Sequence, residues 1–203
     1  MRKLLKTSIL GLSFLAMGLN SETAMAQRWG GGGYEAFSQG TSTLTAGYGV
    51  GNLAKTWFKT YESFGGYKAT GMGPFHLRYE YGVSDRIGLG VSVNYVSYGA
   101  KWEDMGDTYE IGASSWNVLG RMNWHFATGE KLDPYWAVGV GYNSTTWSTK
   151  STDEGYDFSL KSPLFIGFES VVGLRYYFTD NIGLYAEVGF SKSLAQAGLA
   201  VKF

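Results

Sequence analysis

The sequence predicts an all-β fold, a closed antiparallel transmembrane β-barrel of about eight strands. Three observations predict it. The chain opens with a leader typical of exported proteins, it then alternates apolar and polar residues almost to its end, and its turn-forming breaks are alternately short and long. The 15 Tyr, 12 Phe and 7 Trp favour strands. With no Cys, an exported chain cannot be stabilised by disulfide bonds.

The first element, residues 1–26, is expected to be a signal peptide. Three basic side chains lie within the first six residues, and residues 8–19 are uncharged and mostly apolar. Residues 24–26 (Ala-Met-Ala) form a small-x-small cleavage motif, so we expect cleavage after Ala26. The apolar stretch is shorter than the roughly 20 residues that a membrane-spanning helix needs.

Cleavage would remove three basic residues and one acidic residue from a chain with 17 of each, leaving a net charge of −2. This charge gives no sign of nucleic-acid binding. Residues 27–40 are Gly-rich and are expected to form a flexible periplasmic leader. The barrel domain is then residues 41–203.

Turn signals divide the barrel domain into strands. The short breaks are residues 84–86, 128–133 and 179–181, and the long ones are about 52–72, 98–111 and 145–162. Their alternation predicts short periplasmic turns on one rim and longer external loops on the other. A last connection, near residues 191–194, is short for an external loop. The predicted strands are 41–51, 73–83, 87–97, 112–126, 134–144, 163–178, 182–190 and 195–203.

Within each strand, every second residue belongs to one face of the sheet, and one of the two faces has no charged residues. This face is expected to contact lipid, as for Ile87, Leu89 and Val91. The opposite parity is rich in Gly, Ser and Asn, which suits a narrow lumen filled by side chains. A soluble barrel would instead carry a dense outer layer of charged residues. The charged residues predicted to form a lumenal salt-bridge network are Arg78, Glu80, Arg121, Glu169, Arg175, Glu187 and Lys202.

This network is expected to plug the lumen, because buried charges must be paired. Arg175 is predicted to lie diagonal to Glu187, within reach of it. The histidines, His76 and His125, are expected to form lumenal hydrogen bonds. We expect no metal site, no cofactor and no catalytic residue, since too few ligands converge and no His-x-Ser pair occurs in the chain.

The chain ends in an amphipathic strand in which Leu199, Val201 and Phe203 share one face. This pattern resembles the sorting signal that the outer-membrane assembly machinery reads. From residue 41 onward, the chain resembles the small outer-membrane β-barrels, the family of outer membrane protein X and the barrel domain of outer membrane protein A. It departs from them in its Gly-rich leader and its short fourth external loop.

The resemblance implies a monomer in the Gram-negative outer membrane, in contact with lipid, lipopolysaccharide and, during biogenesis, the assembly machinery. The family includes adhesion proteins, structural anchors, narrow pores and some lipid-modifying enzymes, so the fold does not select a function. We expect a structural or surface-interaction role through the external loops, and no enzymatic activity. A narrow passive pore is the alternative, and a lipid-modifying enzyme is third.

Overall fold

The described part of the chain is a single antiparallel sheet closed on itself. The computed structural model describes residues 35–52, 56, 59, 67–104, 106–127, 129–151 and 158–203. All of these belong to one compact unit, Glu35–Phe203. Its strands are β1 Ser42–Val50, β2 Tyr67–Thr70, β3 Phe75–Gly82, β4 Ile87–Asp104, β5 Asp107–His125, β6 Leu132–Ser151, β7 Phe158–Lys161, β8 Ile166–Tyr177, β9 Ile182–Phe190 and β10 Ala195–Lys202.

The barrel closes because β1 pairs with both β3 and β10. Around the ring, the order is β1, β3, β4, β5, β6, β8, β9 and β10. The short strand β2 pairs with β4 beyond β3, and the short strand β7 pairs with β6 beyond β8. β2 therefore extends the line of β3, and β7 extends the line of β8. The prediction of an eight-stranded antiparallel barrel is confirmed. A closed ring leaves no unpaired edge within the barrel wall.

The predicted side-chain alternation sorts the strands into an apolar outside and a polar inside. In β8, exposed residues such as Phe168 and Leu174 alternate with buried ones such as Glu169 and Arg175. Period-two geometry sends successive side chains to opposite faces of the sheet. Most large apolar side chains of the barrel wall therefore point outward, and the buried polar ones point into the lumen.

Three strands are much longer than predicted. The expected loop at 98–111 is largely strand, because β4 runs to Asp104 and β5 starts at Asp107. The expected loop at 145–162 begins as strand too, since β6 continues to Ser151. Together β2, β4, β5, β6 and β7 form a five-stranded extension past the ends of β1, β9 and β10, which we call the protruding sheet. As predicted, the connection at 191–194 is short.

The polarity of the two faces reverses in the protruding sheet, which explains why β4, β5 and β6 were predicted too short and why β2 and β7 fall within expected loops. Its inner face, continuous with the lumen side, has a cross-strand row of apolar residues: Tyr98, Ala113, Trp147 and Leu160. Its outer face has a charged row: Lys68, Lys101, Glu110 and Lys150. Such a reversal is expected where strands leave an apolar layer and enter water.

The rim with short connections (83–86, 126–131 and 178–181) is called the turn end, and the opposite rim the mouth. Residues 35–40 close the turn end. Ala36, Phe37 and Ser38 are buried. The Ala36 amide donates to the Gly129 carbonyl at 2.8 Å, and the Phe37 ring stacks on the His125 ring with centroids 3.5 Å apart.

The expected flexible leader at 27–40 therefore does not hold for residues 35–40, whose apolar side chains fill the end of the lumen. Residues 27–34 and the expected signal peptide at 1–26 lie outside the described residues. In the part of the chain that the structure describes, no helix is long and apolar enough to span a membrane.

Candidate functional site: the charged lumen and its mouth

The charge layer nearest the turn end consists of Glu80, Asp133, Arg175 and His125. Arg175 donates to Glu80 and, at 3.2 Å, to Asp133. The His125 ring lies between two carboxylates, with Nδ1 2.5 Å from Asp133 Oδ1 and Nε2 2.8 Å from Glu80 Oε1. A neutral imidazole has only one N–H. Both contacts are hydrogen bonds only if the imidazole and its two carboxylates share one additional proton, which makes the layer neutral together with Arg175.

A second layer toward the mouth is centred on Glu187. It accepts hydrogen bonds from Arg121 at 2.5 Å, from the Tyr135 hydroxyl at 2.6 Å and from the Gln196 amide. Arg78 Nη2 lies 3.1 Å from Glu187 Oε2 as an ion pair without hydrogen-bond geometry. Arg121 also donates to Glu169 at 3.0 Å. Two guanidiniums and two carboxylates thus balance each other here.

Glycines make room for these side chains in the narrow lumen. A Cβ atom at Gly88 would collide with the carboxylate of Glu80, and one at Gly173 would collide with the Tyr135 ring. The cavity among Arg78, Arg121 and Arg175 has a volume of about 10 Å³, room for about one water molecule. The lumen at this level is therefore filled by side chains.

The structure brings six of the seven predicted network residues together and places the seventh elsewhere. Lys202 lies at the turn end, where its ammonium donates to the Glu35 carbonyl at 2.8 Å and sits over the Tyr177 ring. The expected Arg175–Glu187 pair is not formed. Arg175 does lie diagonal to Glu187 in the register, but it turns toward Glu80 and Asp133 instead.

Asp133 and Tyr135 were missed as network members. The sequence places Asp133 in the predicted turn at 128–133, directly before a proline. Its parity was a usable signal, since it matches that of Tyr135 and Ala137, which both point inward.

His76 links a hydroxyl and an amide nearer the mouth. Its Nδ1 lies 2.6 Å from Asn94 Oδ1, and its Nε2 lies 3.0 Å from the Ser193 hydroxyl. A hydrogen-bonded series of a polar side chain, a histidine and a serine is the arrangement that activates serine nucleophiles in hydrolases. Here, however, each of the three residues is at most 3 % exposed. Asn94 also donates to Asn117 at 2.7 Å, so the trio is one section of a lumenal hydrogen-bond chain.

Among the described residues, no group of three or more His, Cys, Asp or Glu side chains could hold a metal ion. The expectation that the protein is not an enzyme stays a prediction.

Lys192 closes the lumen at the mouth. It belongs to the short connection between β9 and β10, and its side chain reaches across to β5 and β6. There its ammonium donates to the Ser115 hydroxyl and, at 2.7 Å, to Asn143 Oδ1. Sequence reasoning missed this residue, because nothing local to the connection shows that the side chain crosses the barrel.

A comparison with protein families agrees with this architecture. The domain family described as "Outer membrane protein beta-barrel domain" matches residues 12–199. No curated protein sequence matches the chain. The attachment invasion locus protein Ail of Yersinia pestis is 14% identical with a TM-score of 0.47, and the match covers 81% of this chain and 99% of that one. The outer membrane protein OprG of Pseudomonas aeruginosa is 15% identical with a TM-score of 0.45, over 82% and 97% of the two chains.

Proposed function

Because the chain belongs to the outer membrane protein β-barrel family, we propose that it acts at the surface of the Gram-negative outer membrane, with the barrel as an anchor and the protruding sheet as the interacting part. An outer-membrane location implies contact with lipid and lipopolysaccharide, which supports this proposal. The barrel wall then crosses the membrane, and the turn end faces the periplasm.

The observation that carries this proposal is the charged row on the outer face of the protruding sheet. Lys68 lies directly opposite Lys101, Lys101 opposite Glu110, and Glu110 opposite Lys150. All four residues are exposed. Like charges directly opposite each other destabilise a sheet. Glu110 pairs favourably with Lys101 and Lys150, but Lys68 opposite Lys101 gains nothing from folding, and the row keeps two positive charges in excess that external anionic groups could bind.

The lumen supports an anchor rather than a conduit. Two balanced charge layers cross it, and Phe37 and Tyr177 fill it at the turn end. We expect purified protein in a planar bilayer to show little or no conductance. A steady, large conductance would instead favour the alternative of a narrow passive pore. Shifts in lipid A mass that depend on this protein would favour the third alternative, a lipid-modifying enzyme.

Sucrose octasulfate is a suitable anionic probe, since the solved structures include Ail in complex with this heparin analogue. We expect the wild-type protein to bind it in low salt and to release it as salt screens the charges. Lys101→Gln should weaken binding several-fold, because Lys101 lies within the row. Lys131→Gln, an exposed lysine at the turn end, is the matched control. Binding that is absent in the wild type, or equally weakened in both variants, would contradict the proposed role of the row.

We also propose that the last strand acts in assembly. The amide of Phe203 donates to the Ser42 carbonyl at 2.9 Å, which extends the β1–β10 seam. The side chains of Leu199, Val201 and Phe203 are exposed on the outer face. Phe203→Asp is expected to lower the amount of protein in the outer membrane several-fold, measured as the heat-modifiable band on gels. Leu132→Asp, which also alters an exposed apolar residue near the turn end, is the control. Equal losses in both would argue against a specific signal.

A further inference from the structure

The described lumen carries one positive charge in excess. Four positive charges lie within it: the guanidiniums of Arg78, Arg121 and Arg175, and the additional proton that His125 shares with its two carboxylate partners. They are paired with four carboxylates, those of Glu80, Asp133, Glu169 and Glu187. Lys192 is an additional cation at the mouth, and no described carboxylate forms an ion pair with it. Both acceptors of its ammonium, Ser115 and Asn143, are neutral.

Lys192 cannot easily share the carboxylates of the layer below. The fully buried Leu119 lies between them, in a cross-strand row with Gly141 and Gly167. This row separates the level of Asn143 from that of Glu169.

The backbone of Lys192 is also held in place, because the Asn52 amide donates to its carbonyl at 2.6 Å. Burial lowers the pKa of the Lys192 ammonium to about 8. The Lys192 side chain is half-buried, and a charge held partly away from water is stabilised by a counter-ion.

Apolar side chains begin immediately above the ammonium. Val96 lies directly opposite Ser115, and the next row outward on the inner face consists of Tyr98, Ala113, Trp147 and Leu160. Two residues along a strand correspond to about 7 Å, so this row lies within the length of a short acyl chain. Part of the row is open, with Trp147 39% and Leu160 55% exposed.

We propose that the mouth binds a small amphiphilic carboxylate, with its carboxylate on the Lys192 ammonium and its hydrocarbon chain along the exposed part of the inner face at Trp147 and Leu160. A single negative charge matches the ammonium of Lys192, with which no described carboxylate forms an ion pair. The apolar row above it, exposed at Trp147 and Leu160, matches an unbranched chain. This ligand site is separate from the charged row on the outer face, and either could exist without the other.

The test is calorimetric titration of the full-length protein in phosphatidylcholine nanodiscs, with empty nanodiscs subtracted. The probes are octanoate, decanoate and the neutral analogue decanol. We expect saturable binding of one decanoate per chain, with affinity rising about two- to fourfold for each added CH₂. Decanol should bind at least tenfold more weakly than decanoate.

Lys192→Met keeps the length of the side chain and removes its charge, so it should reduce decanoate affinity at least tenfold. It should leave decanol binding unchanged. Lys150→Met, on the outer face of the same sheet, is the control and should bind decanoate like the wild type. Wild-type affinity in Lys192→Met, or no saturable binding at all, would overturn the proposal.

A second measurement needs no variant. Because a bound carboxylate raises the pKa of Lys192 above about 8, decanoate binding near pH 8.5 should take up protons. At pH 6.5 the amine is already protonated, so binding should take up none. Titration in buffers with different ionisation enthalpies measures this uptake. Saturable binding without proton uptake near pH 8.5 would place the carboxylate elsewhere and overturn the assignment to Lys192.

Discussion

Glu187→Ala is expected to destabilise the barrel by about 3–5 kcal/mol, the range for breaking one side of a buried ion pair. Glu187 is buried and is the shared acceptor of Arg121, Tyr135 and Gln196, as well as the ion-pair partner of Arg78. Its removal leaves Arg78 without a carboxylate partner and Arg121 with Glu169 alone. The lower end of the range corresponds to water entering the vacated space.

The measurement is the free energy of unfolding in urea, in lipid vesicles, followed by tryptophan fluorescence and gel mobility. Glu187→Gln keeps the shape and one acceptor oxygen, so it should cost less than the alanine variant. Glu103→Ala removes an exposed carboxylate from the protruding sheet and should change stability by less than about 0.5 kcal/mol. The alanine variant at 187 is also expected to show transient conductance. Stability within 1 kcal/mol of the wild type would contradict a buried network centred on Glu187.

Val140→Arg is expected to destabilise the barrel by about 2–4 kcal/mol, because an arginine on the lipid face must be accommodated in hydrocarbon. Val140 is 62% exposed on the outside of β6, between the outward aromatic residues Trp136 and Tyr142. Ser148 has the same parity on the same strand but lies in the protruding sheet, where the outer face is polar. Ser148→Arg should therefore cost less than about 0.5 kcal/mol.

Both variants are compared by urea unfolding in the same vesicles. The two substitutions differ only in their position along β6 relative to the membrane, because both side chains are on the outer face of the same strand. Similar costs at both positions would contradict the assignment of the membrane boundary to the place where the polarity of the faces reverses. An arginine at Ser92, on the lumen side of β4, would not serve as a control for Val140→Arg, because Ser92 is fully buried and hydrogen-bonded to Asn94.

The sequence alone determined the class of fold, the number of strands in the ring and the direction of their side chains. All three follow from local patterns: period-two alternation, and turn residues at 84–86 and 179–181. It also predicted that Arg78, Glu80, Arg121, Glu169, Arg175 and Glu187 point into the lumen, because inward positions can be counted along each strand. The lipid-facing and lumen-facing side chains differ so strongly in polarity that the direction of each side chain could be assigned from the sequence.

The tertiary structure decided what depends on contacts across the barrel. Glu80 and Arg175 are 95 residues apart and lie on strands that are not neighbours, so their pairing follows from how the ring closes. The same holds for Lys192 reaching β5 and β6. The full length of β4, β5 and β6 could not be predicted from the sequence, because the apolar residues change from the outer to the inner face where the strands leave the membrane. A pattern that expects apolar residues on the outer face therefore ends there. Residues 35–40 look flexible by composition, yet Phe37 finds a stacking surface on His125 that exists only once the barrel has closed.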